Sequence, residues 1–201
     1  LVGLDLVIDV VLNQNDRIVQ AFAGAPQAVF EAGLPLARQV NEVASPADLD
    51  IAIASACPYD IDLYQAVRAV EYTDAVVRPG GAILLVAACP DGIGGEDFFR
   101  LMADRARRPD DYLRDVVRRT GRVTFGVLGY FLARIKAEKR LHIVCSGIAG
   151  QELAAMGFQC WPSLQAGVNA LLADYAPARV GVFPLGSATI PRTEIDADKT
   201  D

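Results

Sequence analysis

The chain opens with two β-rich apolar runs, residues 2–12 and 17–24, separated by Asn13-Gln14-Asn15-Asp16. Asparagine and aspartate tolerate turn conformations and bond to their own backbone, so this pattern predicts a β-hairpin. Val29, Ala32, Leu36 and Val40 then recur at helical intervals across residues 26–43. Pro26 suits the first turn of such a helix, where its missing N–H is not needed. After Ser45-Pro46, residues 49–56 form a short run of small apolar side chains, as expected of a strand covered on both faces. The remainder repeats this alternation, with strands predicted at 82–88, 141–145 and 180–183 and helices at 60–77, 96–106, 109–119, 151–156 and 163–175. Arg78-Pro79-Gly80-Gly81 reads as a stop, and residues 123–135 as buried helix or strand.

Strands alternating with helices imply right-handed crossovers, which place helices on the faces of a parallel sheet. The predicted class is therefore α/β, with a mostly parallel sheet, helices on both faces and an N-terminal β-hairpin. The hairpin, residues 1–24, joins an α/β layer over 25–192, and the charged segment 193–201 lacks apolar periodicity and is predicted to be a flexible tail.

Composition narrows the function. With 201 residues, 52% hydrophobic and 22% charged, the chain can bury one sizeable core. A net charge of −6 gives no bulk attraction to phosphate backbones, so nucleic acid is not an expected partner. No apolar run reaches the roughly 18–20 residues needed to span a bilayer. The four cysteines, Cys57, Cys89, Cys145 and Cys160, are widely spaced without a CxxC pair and read as reduced structural thiols of a cytoplasmic protein. His142 is the single histidine and lies within a predicted strand, so a complete metal site or a Ser-His-Asp or Cys-His array is not expected. Leu1 falls inside an apolar segment without a start methionine or a signal peptide's charged region, which reads as a piece of a longer protein.

Ligands of parallel sheets gather at the carboxyl ends of strands, which directs attention to two loops. The first, Cys57-Pro58-Tyr59-Asp60-Ile61-Asp62-Leu63-Tyr64-Gln65-Ala66-Val67-Arg68, enters a helix that Asp60 can cap. Tyr64 and Arg68 lie four residues apart on nearly one helical face, bordered by Gln65, so a phenol, an amide and a guanidinium can converge on a carboxylate. The competing reading has Tyr64 packed and the other two solvated. The second loop carries Asp91, Gly92 and Gly94 before another helix, where backbone can approach a phosphate or carboxylate. Its glycine spacing matches neither a Rossmann fingerprint nor a P-loop, and a tight turn alone would also explain it. Ser146-Gly147 and Pro184-Leu185-Gly186-Ser187 end two further strands in similar fashion. Arginines between 100 and 122 alternate with Asp104, Asp110, Asp111 and Asp115, as on a solvated helical surface.

Taken in order, Val10-Val11-Leu12-Asn13, Arg17 to Gly24, the Pro58-to-Ala69 segment, Arg78-Pro79-Gly80-Gly81, Asp91-Gly92-Ile93-Gly94, Leu132-Ala133-Arg134-Ile135 and Pro184-Leu185-Gly186 resemble the carboxyl-terminal lobe of the LarA-like, nickel-pincer-dependent lactate racemase family. The resemblance implies an isomerase, a 2-hydroxy-acid racemase or epimerase working by hydride abstraction and return. It also implies that a missing N-terminal lobe holds the cofactor, nickel pyridinium-3,5-bisthiocarboxylic acid mononucleotide, through a lysine and metal-binding histidines. No cofactor, metal ligand or catalytic residue is then expected in this chain, which would be inactive alone. Its contribution would be the substrate-facing residues, mapped onto Tyr64, Gln65 and Arg68, with the Asp91, Gly92 and Gly94 loop beside the cleft. The expected partners are a small 2-hydroxy acid and the missing lobe of the same chain, with a homo-oligomer left open. Two positions depart from the family: Arg68 stands where its lactate enzymes usually carry lysine, and Gly126, Val127 and Leu128 stand where a tryptophan is expected. The alternatives are a non-catalytic ligand-binding or assembly domain and a nucleotide-binding α/β domain using the glycine loop.

Overall fold

The computed structural model describes residues 3–13 and 15–193. They form two compact units that divide between Ala44 and Ser45, and the tail expected from 193 onward lies, beyond Thr193, outside the described residues.

In the first unit, β1 (Val7–Leu12) and β2 (Ile18–Gly24) pair antiparallel with Val7 opposite Gly24 and Val11 opposite Gln20. The connecting turn is built as its composition predicts. The Asn13 side-chain oxygen accepts from the backbone N–H groups of Asn15 and Arg17, at 2.9 and 3.1 Å. Helix α1 (Pro26–Asn41), with proline in its first turn, packs on one hairpin face through buried Val29, and Gly33 lets the Phe22 ring close in. A short strand, β3 (Glu42–Ala44), follows.

The second unit carries the α/β layer from residue 45; α1 and β3, predicted with that layer over 25–192, group with the hairpin in the first unit. Along the chain it contains β4 (Leu49–Ser55), α2 (Leu63–Ala66), α3 (Arg68–Asp74), β5 (Val77–Ala87), α4 (Glu96–Ala103), α5 (Pro109–Arg118) and α6 (Val123–Glu138). It continues with β6 (Arg140–Cys145), α7 (Gly150–Ala155), β7 (Gln159–Cys160), α8 (Leu164–Asp174), β8 (Val180–Phe183) and β9 (Ile190–Arg192). Five strands form one parallel sheet in the order β7-β6-β5-β4-β8. Because side chains alternate between faces, Ala52, Ala54, Ile83, Leu85, Leu141 and Ile143 point to one side. There they meet Leu63, Val70, Phe98, Leu132, Leu153 and Met156 from α2, α3, α4, α6 and α7. Ile51, Ala82 and Leu84 point to the other side and pack under Leu171 of α8. Helices therefore cover both faces, one far more thickly than the other.

Three local expectations change. The helix expected over 60–77 is α2 followed by α3, with Val67 as a tightened turn between them whose carbonyl accepts from both Val70 and Glu71. The Arg78-Pro79-Gly80-Gly81 stop does not separate helix from strand; it lies inside β5. Pro79 and Gly80 are exposed, so proline costs no ladder bond there. Gly81 is required, since a Cβ would stand 2.6 Å from Val77 Cγ1 and 2.9 Å from the Asp50 carbonyl. Residues 123–135, open between helix and strand, are helical within α6.

His142 is buried on the α8 side of the sheet, where Trp161 donates to its Nδ1 at 3.0 Å and stacks on it at 6.1 Å. Burial pushes the imidazole from its ordinary 6.5 down to about 4. A neutral folded histidine that protonates readily when unfolded stabilises the fold above pH 6.5, and that contribution is lost as pH falls toward 4. The expected loss is about 1 kcal/mol per pH unit across this window. Denaturant unfolding of the full-length protein should show it as a pH-dependent difference from His142→Gln, which cannot protonate; parallel stability curves would contradict it.

Candidate functional site

The carboxyl edge of the sheet is assembled by loops that bond to one another. Residues 60–64 zip onto 88–93: Cys89 N–H donates to the Asp60 carbonyl at 2.8 Å, Asp91 to Ile61 at 2.9 Å, Leu63 to Gly92 at 2.9 Å and Tyr64 to Ile93 at 3.2 Å. Asp60 also accepts from Ala88 N–H through its carboxylate, at 3.1 Å. It therefore braces the neighbouring strand end and is not the helix cap. Asp62 caps α2, accepting from Gln65 N–H at 2.8 Å. The 184–187 loop locks the other side, because buried Ser187 donates to the carbonyls of Ala56 and Cys57 and accepts from Tyr59 N–H.

Gln65 and Arg68 come together on this frame. Arg68 donates from Nη2 to Gln65 Oε1 at 3.4 Å, and its guanidinium lies over the Tyr59 ring at 5.2 Å. Tyr59 is exposed and was not singled out in the sequence; an aromatic four residues before a helix start gives no pattern that separates a lid for a cation from a loop residue. Tyr64 goes elsewhere. Its ring meets Phe98 and Phe125 edge-on at 5.5 and 5.2 Å, and no hydrogen bond from its hydroxyl is found among the described residues. Tyr64 belongs to α2 and Arg68 to α3, and the contacts of Tyr64 are with the aromatic core while those of Arg68 are with Gln65 and Tyr59. Glu71, one turn beyond Arg68, is half-buried; burial raises its carboxyl above the usual range, with the Arg68 charge pulling the other way.

Asp91, Gly92 and Gly94 line a hollow of about 330 Å³ with Glu96, Gly147 and Glu152. Gly92 and Gly94 have φ of 78° and 91°, which glycine tolerates best. Gly94 also has no space for a side chain, since a Cβ would lie 2.7 Å from Tyr64 Cβ and 3.0 Å from Asp62 Cγ. The charged side chains lining this hollow are Asp91, Glu96 and Glu152, all acidic. That lining repels a phosphate and weighs against the nucleotide-binding alternative.

All four cysteines are free and sit at or just beyond the carboxyl ends of four neighbouring strands, β4, β5, β6 and β7. Cys145 and Cys89 are neighbours across the ends of β6 and β5, where Cys145 Sγ lies 3.7 Å from the Ala88 carbonyl oxygen. Against the opposing effect of burial, the neighbouring Cys89 thiol holds Cys145 below the usual thiol range, while the same pairing pushes Cys89 up. Iodoacetamide alkylation of Cys145 is expected to reach half its maximal rate at a pH below that of an ordinary cysteine. Cys89→Ala should move this midpoint upward; an unshifted midpoint would contradict the thiol pairing. Among the described residues no group of three or more His, Cys, Asp or Glu side chains could hold a metal ion, and no helix is long and apolar enough to cross a membrane.

Comparison with known proteins follows the same geometry. Residues 42–190 match the model of the lactate racemase C-terminal domain, LarA_C. The chain is 32% identical over 118 residues to the lactate racemase of Thermoanaerobacterium thermosaccharolyticum, covering 58% of this chain and 28% of that protein. It is 38% identical over 104 residues to the lactate racemase of Lactiplantibacillus plantarum, covering 50% of this chain and 24% of that one. The structure of the T. thermosaccharolyticum lactate racemase apoprotein superposes with a TM-score of 0.79 at 26% identity, covering 94% of this chain and 46% of that one. A Thermotoga maritima protein shares the fold at a TM-score of 0.63 and 10% identity, covering 94% of this chain and 49% of that one. The aligned regions thus take in less than half of each of these proteins. With three-quarters of its length matched by one family model, the chain belongs to the lactate racemase C-terminal domain family.

Proposed function

We propose that residues 1–192 form the carboxyl-terminal, substrate-facing lobe of a racemase or epimerase of small 2-hydroxy acids, working in the cytoplasm, where four free thiols stay reduced. The observation that carries the reading is the Gln65–Arg68 pair, hydrogen-bonded at 3.4 Å beyond the carboxyl end of β4. Among the described residues the Arg68 guanidinium has an amide and the Tyr59 ring as its close partners, and no carboxylate hydrogen-bonds to it. A guanidinium held in this way keeps donors for a substrate carboxylate. Gln65 sets its orientation and Tyr59 covers one face, so the substrate's α-carbon is presented in a fixed direction.

Among the described residues no group of three or more His, Cys, Asp or Glu side chains is placed to hold a metal ion. The proposal assigns the nickel-pincer nucleotide, with its hydride abstraction and return, to the other half of a longer protein. Tyr64 supports the corner from behind through Phe98 and Phe125, and the Asp91–Gly94 loop fixes the start of α2. The reading is tested by incubating the cofactor-loaded full-length protein with single enantiomers of lactate and larger 2-hydroxy acids and following the mirror form by chiral chromatography. Appearance of the opposite configuration at the α-carbon is expected for at least one acid. Retention of configuration throughout the series would overturn the assignment.

A further inference from the structure

A second cleft, of about 930 Å³, lies among the loop after α4, the last turn of α6 and the turn after α7. It shares no residue with the Gln65–Arg68 corner. Its charge balance is the reverse of the acidic hollow: Arg105, Arg107, Arg108, Lys136, Lys139 and Arg140 line it, with Asp104 as the one carboxylate among the lining residues. Three of these cations are already neutralised, Arg107 by Asp115, Lys139 by Asp74 and Arg140 by Asp174. Among the described residues Lys136, Arg105 and Arg108 form no ion pair; Arg108 is exposed and opens α5.

Lys136 is half-buried. Its ammonium donates to the Met156 carbonyl and sits 5.3 Å from the centre of the Phe158 ring, with no carboxylate partner among the described residues. Burial and the neighbouring Arg105 charge bring it down to about 8. Sequestering an ammonium against a carbonyl and a ring beside a second cation is unfavourable unless an anion compensates. Arg107 adds a buried Nε without a partner, and its guanidinium caps Tyr112 at 4.6 Å from the ring centre. Tyr112, Met102 and Phe158 supply an apolar floor.

We propose that this cleft binds a small, multiply charged anion of the phosphate-ester or pyrophosphate class, with Lys136 and Arg105 holding the charge and the Tyr112–Phe158 floor taking an organic portion. A single carboxylate, such as the acid proposed for the other site, would neutralise only one of the unpaired cations. Two or more negative charges match Lys136 together with its arginine neighbours, and a guanidinium fork suits phosphate oxygens. A volume of about 930 Å³ admits a ligand much larger than the anion itself.

The test is calorimetric titration of the full-length protein with inorganic pyrophosphate at low ionic strength. Saturable single-site binding is expected, weakened about tenfold or more by Lys136→Met and by Arg105→Ser and unchanged by Arg100→Ser, whose guanidinium pairs with Glu96 outside the cleft. Arg105 is exposed, so its variant tests the site even if Lys136→Met fails to fold. Absence of saturable heat would overturn the proposal, as would equal losses in all three variants or losses in none. Racemase activity does not enter this readout, so the two functional readings fail independently.

Discussion

Arg68→Ala in the full-length protein is expected to lower kcat/KM for its 2-hydroxy acid by about 10- to 100-fold, the value of hydrogen bonds to a charged group of about 1.5–3 kcal/mol. The fold should survive, because the guanidinium contacts an amide oxygen and the exposed Tyr59 ring and lies outside the hydrophobic core. The pattern across variants identifies the role. Arg68→Lys keeps a cation but loses the fork, so it should retain much of the activity. Gln65→Ala removes only the group that orients the guanidinium and should fall between wild type and Arg68→Ala. If the loss reflected scaffolding alone, Arg68→Lys would be as damaged as Arg68→Ala and the melting temperature would drop with activity. Turnover unchanged in Arg68→Ala across the acid series, with the protein folded, would remove the residue from the site.

What the sequence conveyed was the periodic part of the molecule. Runs such as 49–56 and 141–145 carry their own evidence of burial, and the Asn-rich turn contains the groups that form it, so hairpin and parallel sheet were legible. The site was legible only as far as helical spacing holds. Gln65 and Arg68 meet because three residues separate them across one turn. Helical spacing could not show that the Tyr64 ring is taken up by Phe98 and Phe125, which lie far along the chain. Asp60 and Asp62 are equally good caps on paper, and the choice is made by Ala88 N–H, which takes the Asp60 carboxylate from a strand 28 residues away. Tyr59, Ser187 and the unpaired Lys136 share this property: their roles are set by partners distant in sequence. The cleft around Lys136 looked like a balanced arginine–aspartate surface because composition counts charges and cannot show which ones pair.

The strongest constraint on backbone packing is Gly147, and Gly147→Ala is expected to destabilise the full-length protein by about 3 kcal/mol, the upper part of the ordinary range for overpacking. Here the carboxyl ends of β5 and β6 come into direct contact: Gly147 N–H donates to the Ala88 carbonyl at 2.8 Å. A Cβ on residue 147 would fall onto the Cys89 carbonyl oxygen and lie 2.6 Å from that of Ala88. Neither atom is the end of a flexible side chain, so relief requires the two loops to part, which loosens the pairing of Cys145 with Cys89. For a chain of this size the melting temperature should fall by about 6–12 °C, and the pH midpoint of Cys145 alkylation should rise with it. Gly92→Ala is the informative contrast, since Gly92 has φ of 78° with nothing near its missing Cβ. The cost there is left-handed backbone strain alone, about 1 kcal/mol, and asparagine should recover part of it. No L-residue relieves Gly147, so a Gly147→Ala protein as stable as wild type would mean that the two strand ends are not held in contact.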